Sequence, residues 1–118
     1  MNRFISFSSF LYFIFLLFFQ IITLIINKIR GGHFAGHYDA NYRASPLEQS
    51  FYTFMIYLNG DCGGGATNFL DESGNVIHSI KPKAGQALIF HHQIFHNGGR
   101  VESNLKYLMR SDAIYRSE

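Results

Sequence analysis

Residues 51–58 read Phe51-Tyr52-Thr53-Phe54-Met55-Ile56-Tyr57-Leu58, and Asn59-Gly60-Asp61 follows at once. An apolar, aromatic-rich run of this length that ends in a turn signal is a buried strand; a buried helix would run longer. Working outward, Gly63-Gly64-Gly65 prolongs the turn or loop, and Ala66 to Leu70 is a second short strand. The polar turn Asp71-Glu72-Ser73-Gly74-Asn75 leads to a strand from Val76 to Ile80. Pro82 and Gly85 bracket the next turn, Gln86 to Phe90 returns as a strand, and Asn97-Gly98-Gly99 breaks the chain before Lys106 to Arg110. Short strands with glycine-rich turns at near-regular spacing predict an all-β sandwich or jelly roll. No internal repeat is visible, and no helical periodicity survives beyond residue 30.

The N-terminal part is different. From Phe4 to Ile26 there is no charged residue, and the polar members are only Ser6, Ser8, Ser9, Gln20 and Thr23. Such a stretch is long enough to cross the roughly 30 Å of bilayer hydrocarbon as a helix. No small-residue cleavage site follows it, so an uncleaved anchor over residues 4–27 fits better than a signal peptide. That reading implies a single-pass membrane protein, the endoplasmic reticulum being one location. Arg3 flanks one end and Lys28 and Arg30 the other, which leaves the orientation open. A rival reading is AT-rich non-coding sequence translated at the edge of a gene model, since Phe, Ile, Leu, Asn and Lys dominate the stretch. Either way residues 1–30 stand apart from a domain over residues 31–118.

At 118 residues the chain is one domain at most, and the part after residue 30 is small for an independent core. The net charge of +2 comes without a Lys/Arg cluster interleaved with aromatics, so nucleic acid is not an expected partner. The single cysteine, Cys62, cannot form an intrachain disulfide and reads as an inert thiol.

The chemistry gathers at His37-Tyr38-Asp39. In a strand, residues two apart share a face, so imidazole and carboxylate can point at one ion. His96, just before the Asn97-Gly98-Gly99 turn, is the best third ligand. Two His and one carboxylate on one face of an octahedron leave three positions open, the arrangement of Fe(II) oxygenases. His92 and His96 also stand four apart, as in zinc proteases, but Gln93 occupies the place where that pattern demands Glu. His33, His78, His91 and His92 read as packing, loop or supporting residues. Lys106 lies ten residues after His96 and could pair with the far carboxylate of a keto acid whose other end chelates the iron. Arg110 has the same strand parity, so both cations can face inward.

At this point the chain resembles the catalytic domain of prolyl 4-hydroxylases within the Fe(II)/2-oxoglutarate dioxygenases. The stretches that carry the resemblance are Gly32-His33-Phe34 leading to His37-x-Asp39, then Thr53 to Asn59, and Gly64-Gly65-Ala66-Thr67-Asn68-Phe69. Pro82-Lys83-Ala84-Gly85 with Ala87-Leu88-Ile89-Phe90 follows, and then His96 and Lys106. The resemblance implies a double-stranded β-helix with His37, Asp39 and His96 on iron and Lys106 on 2-oxoglutarate. Thr67 matches a position whose hydroxyl helps hold the keto acid; Arg110, from its strand parity alone, is a further candidate to bind it. It also implies dioxygen as co-substrate, L-ascorbate as reductant, and hydroxylation of a substrate C–H bond with release of succinate and CO2. The substrate would be a protein, peptide or small molecule, with peptidyl proline among the choices.

Two features depart from the pattern. In that family a strand before the Gly-rich approach supplies a tyrosine to 2-oxoglutarate, and no tyrosine stands between Lys28 and His37. The tryptophans frequent after the lysine in collagen-modifying enzymes are absent as well. The expected fold is therefore a jelly roll lacking its first strands and preceded by an apolar helix. The competing function is a membrane-tethered fragment that binds metal without turnover.

Overall fold

The computed structural model describes residues 26–27 and 31–116, and within them the chain is all-β with antiparallel pairing throughout. The eleven strands are β1 (Ile26–Asn27), β2 (Phe34–His37), β3 (Arg43–Ser45), β4 (Glu48–Tyr57), β5 (Gly63–Gly64), β6 (Thr67–Leu70), β7 (Val76–Ile80), β8 (Ala87–His91), β9 (His96–Gly98), β10 (Val101–Ser103) and β11 (Lys106–Arg116). One sheet runs β1-β11-β4-β3, with β8 also on β4; the other runs β2-β9-β6-β7; β5 and β10 form a small separate ladder. The inner faces of the two larger sheets meet in a core of Met55, Tyr57, Phe90 and Leu108, against which Phe69 and Ile80 of the second sheet pack. This is a two-sheet jelly roll.

Strand β4 shows why the sequence folds this way. Its C-terminal half alternates, with Thr53, Met55 and Tyr57 buried and the residues between them partly exposed. Ser50 is buried too, which breaks that parity. The break falls where the pairing with β11 shifts, from Ala113↔Tyr52 to Ile114↔Ser50, so Phe51 is the extra residue of a bulge. The bulge bends β4 and lets Ser50 as well as Thr53 turn inward.

Several expectations are met closely, and others change. The run at 51–58 lies in β4 up to Tyr57, with Leu58 just past its end, the strand expected at Val76–Ile80 is β7, and β6 and β8 sit within a residue of their expected places. Strand β11 continues past Arg110 to Arg116 because it pairs with β4 from Leu108 to its end. Asn97-Gly98-Gly99, expected as a break, begins in β9: Asn97 pairs with Asn68, and Gly98 pairs with both Thr67 and Phe34. The glycine loop at 63–65 contributes β5. There the backbone lies so close to its partner that a Cβ on Gly64 would fall 2.2 Å from the Arg100 carbonyl oxygen, at φ +68. Only glycine fits both that contact and that φ.

The apolar helix expected over residues 4–27 falls outside the described residues except for its last two, and those are strand. Ile26 pairs with Tyr107 and Asn27 with Lys106, so the sheet begins ahead of Gly31. Among the described residues no helix is long and apolar enough to cross a membrane.

Candidate metal and co-substrate site

Three side chains converge at one end of the sandwich. His37 closes β2 and pairs directly with His96 of β9, which places their rings 4.3 Å apart. Asp39 lies just past the end of β2. The strand pleat expected to align it with His37 is not what holds it, because its backbone N–H donates to the His92 carbonyl at 3.1 Å. One ligand atom each from His37, Asp39 and His96 falls within a common span of 4.8 Å.

The protonation states suit a cation. His37 Nδ1 lies 2.8 Å from the Ala35 carbonyl, and His96 Nδ1 lies 2.8 Å from the Ile94 carbonyl. A carbonyl oxygen only accepts, so each Nδ1 carries the proton and each Nε2 offers its lone pair. Burial lowers the His96 pKa, which favours that neutral ring. Burial works to raise the Asp39 pKa, but the Thr53 hydroxyl and the Arg110 charge outweigh it and hold the carboxyl below its ordinary value. Asp39 Oδ1 is 3.4 Å from His37 Nε2, and Oδ2 is 3.7 Å from His96 Nε2. Two lone pairs and an anion therefore face one another at close range, a donor set that a divalent cation would satisfy.

Beside the triad opens a pocket of about 220 Å³, floored by Met55 and Leu108 and bounded by Thr67, Lys106 and Arg110. Against roughly 30 Å³ per water in the liquid, that is room for an organic molecule. Lys106 is only 4 % exposed. Burial depresses its pKa, and among the described residues no carboxylate pairs with it. Its Nζ instead stands 5.4 Å from the centre of the Tyr57 ring. Thr67 Oγ1 and the Tyr57 hydroxyl hydrogen-bond to each other at 2.5 Å, both deeply buried. Arg110 faces the same pocket as Lys106, as their shared parity requires, but its Nη2 reaches Asp39 Oδ2 at 3.2 Å.

Two residues around this site, Tyr57 and Thr53, escaped the sequence reading. Tyr57 was legible only as strand core, although it shares the inward parity of Thr53 and Met55. Thr53, whose hydroxyl donates to Asp39 Oδ2, belonged to the same run. His92 is fully buried and takes its expected supporting place, but its carbonyl contact with Asp39 has no signal in sequence.

Residues 23–111 match the model of the 2OG-Fe(II) oxygenase superfamily, and the chain belongs to that family. Its fold is that of a crystal structure of a Pseudomonas putida prolyl-4-hydroxylase, with a TM-score of 0.60 and 18% sequence identity. The likeness covers 94% of this chain but 62% of that one, so the chain spans less than two thirds of the length of the structure it resembles. No curated protein matches the chain by sequence.

Proposed function

We propose that this chain is an Fe(II)- and 2-oxoglutarate-dependent dioxygenase that hydroxylates a C–H bond of its substrate. His37 Nε2, Asp39 and His96 Nε2 would hold the iron, and Lys106 would hold the far carboxylate of 2-oxoglutarate. The observation that carries this reading is Lys106: a buried cation that no carboxylate pairs with among the described residues, in the same pocket as the triad. An isolated buried charge is costly, and a dicarboxylate reaching from the metal would offset that cost. Thr67 and Tyr57 present hydroxyls on the same side, where they can support that carboxylate. Bound iron and 2-oxoglutarate, with dioxygen as oxidant, would supply oxidative decarboxylation to succinate and CO2, one oxygen atom going to succinate and the other into the substrate C–H bond. The protein's own part is to position the groups, pair the charges and exclude water, with the apolar side chains of Met55 and Leu108 in the pocket lining.

Peptidyl proline is the first substrate class to test, because the similar Pseudomonas putida structure is that of a prolyl-4-hydroxylase. L-ascorbate is the proposed reductant. The deciding assay is succinate formation from 2-oxoglutarate with Fe(II) and ascorbate, with and without a proline-containing peptide. Succinate that depends on both Fe(II) and the chain supports the reading. A folded chain that binds metal and yields none would make it a non-catalytic module.

A further inference from the structure

The two oxygens of Asp39 are not equivalent. Oδ2 lies 3.7 Å from His96 Nε2, but it already accepts the Thr53 hydroxyl and the Arg110 guanidinium, whose Nη2 is 3.2 Å away. Oδ1 faces only the bare Nε2 of His37, at 3.4 Å. Arg110 is itself held from behind: the same Nη2 lies 3.6 Å from Asp112 Oδ1, and Asp112 Oδ2 accepts the Ser50 hydroxyl at 3.1 Å. Asp112 in turn faces the fully buried ring of His92, whose Nε2 is 3.8 Å away. His92 closes the circuit, since its carbonyl takes the backbone N–H of Asp39. Side chain and main chain of Asp39 are thus tethered by one connected set of groups.

Building on the metal reading above, we infer that Thr53 and Arg110 hold Asp39 by Oδ2 so that it offers a metal ion one oxygen, Oδ1, and does not chelate. Turning both oxygens toward the ion would break a charge-assisted bond to Arg110 and the bond from Thr53 together. The consequence is a coordination count. Two imidazoles and one carboxylate oxygen fill three positions and leave three, which a two-toothed keto acid and one further small ligand require. A chelating carboxylate would occupy one of those. Thr53 and Arg110 are positioning residues in this scheme. Arg110 acts on the metal side of the pocket, and Lys106 is left as the cation for the co-substrate.

The test uses the full chain with Co(II) as the probe, following visible absorption and affinity without any need for turnover. Thr53→Val should weaken Co(II) binding roughly ten- to a hundredfold, the usual effect of removing a group that orients a ligand. At saturating Co(II) its absorption should also differ from that of the native chain, because a freed carboxylate changes the coordination number. Thr53→Ser should restore both. Arg110→Gln should shift the saturated spectrum in the same direction, and this decides the matter if Thr53→Val does not fold. Variants that melt earlier yet show native affinity and the native spectrum would overturn the inference. If the native chain binds no Co(II), or binds it equally after His96→Ala, the metal reading itself fails, an outcome distinct from a failure of the positioning role.

Discussion

His37 and His96 are register partners across β2 and β9, and each anchors its ring on the carbonyl two residues before it in the chain. The two rings are therefore set by the same local geometry and present the same nitrogen. This symmetry makes them equivalent in a way that no other histidine pair among the described residues shares. Single changes His37→Ala, Asp39→Ala or His96→Ala should each abolish iron-dependent 2-oxoglutarate turnover. His92→Ala should leave iron binding largely in place and weaken it only through Asp39. Metal content after dialysis against Fe(II) measures this, and equal losses for His92→Ala and His96→Ala would mean the third ligand is misassigned.

Lys106→Ala should weaken 2-oxoglutarate binding far more than iron binding. A hydrogen-bonded charge pair with a carboxylate contributes about 1.5–3 kcal/mol, or roughly ten- to a hundredfold in affinity. Arg110→Ala should have the opposite profile, with a larger effect on metal than on 2-oxoglutarate. Titrating each ligand into both variants separates the two roles, and the reverse ranking would make Arg110 the co-substrate anchor.

The same lysine should destabilise the ligand-free fold. Burial lowers its pKa below the ordinary 10.5, so the unfolded chain binds that proton more tightly. Between the folded value and 10.5 the unfolded state carries more protons, so this contribution to stability grows as pH rises through that window. It is lost again as pH falls through the folded value. Lys106→Met should remove this rise and stabilise the ligand-free chain by roughly 1–3 kcal/mol, because no unpaired charge is buried. Urea unfolding across the neutral to alkaline range tests it. A less stable Lys106→Met variant at neutral pH would show that the ammonium has a partner in the fold.

Tyr57→Phe should cost about 1–3 kcal/mol of stability, since Thr67 Oγ1 loses its close hydroxyl partner in a buried place. Thr67→Val made on top should cost much less than it does alone, because the two hydroxyls satisfy one another. A double-mutant cycle by thermal unfolding reads the coupling. Strict additivity would mean that the hydroxyls act independently.

Alternation and turn chemistry made most of the architecture readable in one dimension. The run at 51–58 announced the central strand, and the glycine and Asp/Asn clusters placed the boundaries of β6, β7 and β8. Local pattern also set Lys106 and Arg110 on one face of β11, because side-chain direction in a strand follows from parity alone. Short or glycine-rich strands such as β3, β5, β9 and β10 were illegible, since their pairing comes from distant partners and not from local preference. For the same reason Ile26–Asn27 could be read only as part of an apolar stretch, although they pair with the strand that carries Lys106.

The site divides along the same line. Residue type and spacing singled out His37, Asp39, His96 and Lys106, because few side chains bind a hard cation or a carboxylate. The tertiary structure decided how they are held: Asp39 by the backbone of His92 and the side chains of Thr53 and Arg110, and Thr67 by Tyr57. These contacts join residues from separate strands, and a bulge at Phe51 changes the parity by which one of those strands faces inward. Parity is a local rule, whereas a bulge and a hydrogen bond across a sandwich depend on where other strands lie, and only the folded chain contains that information.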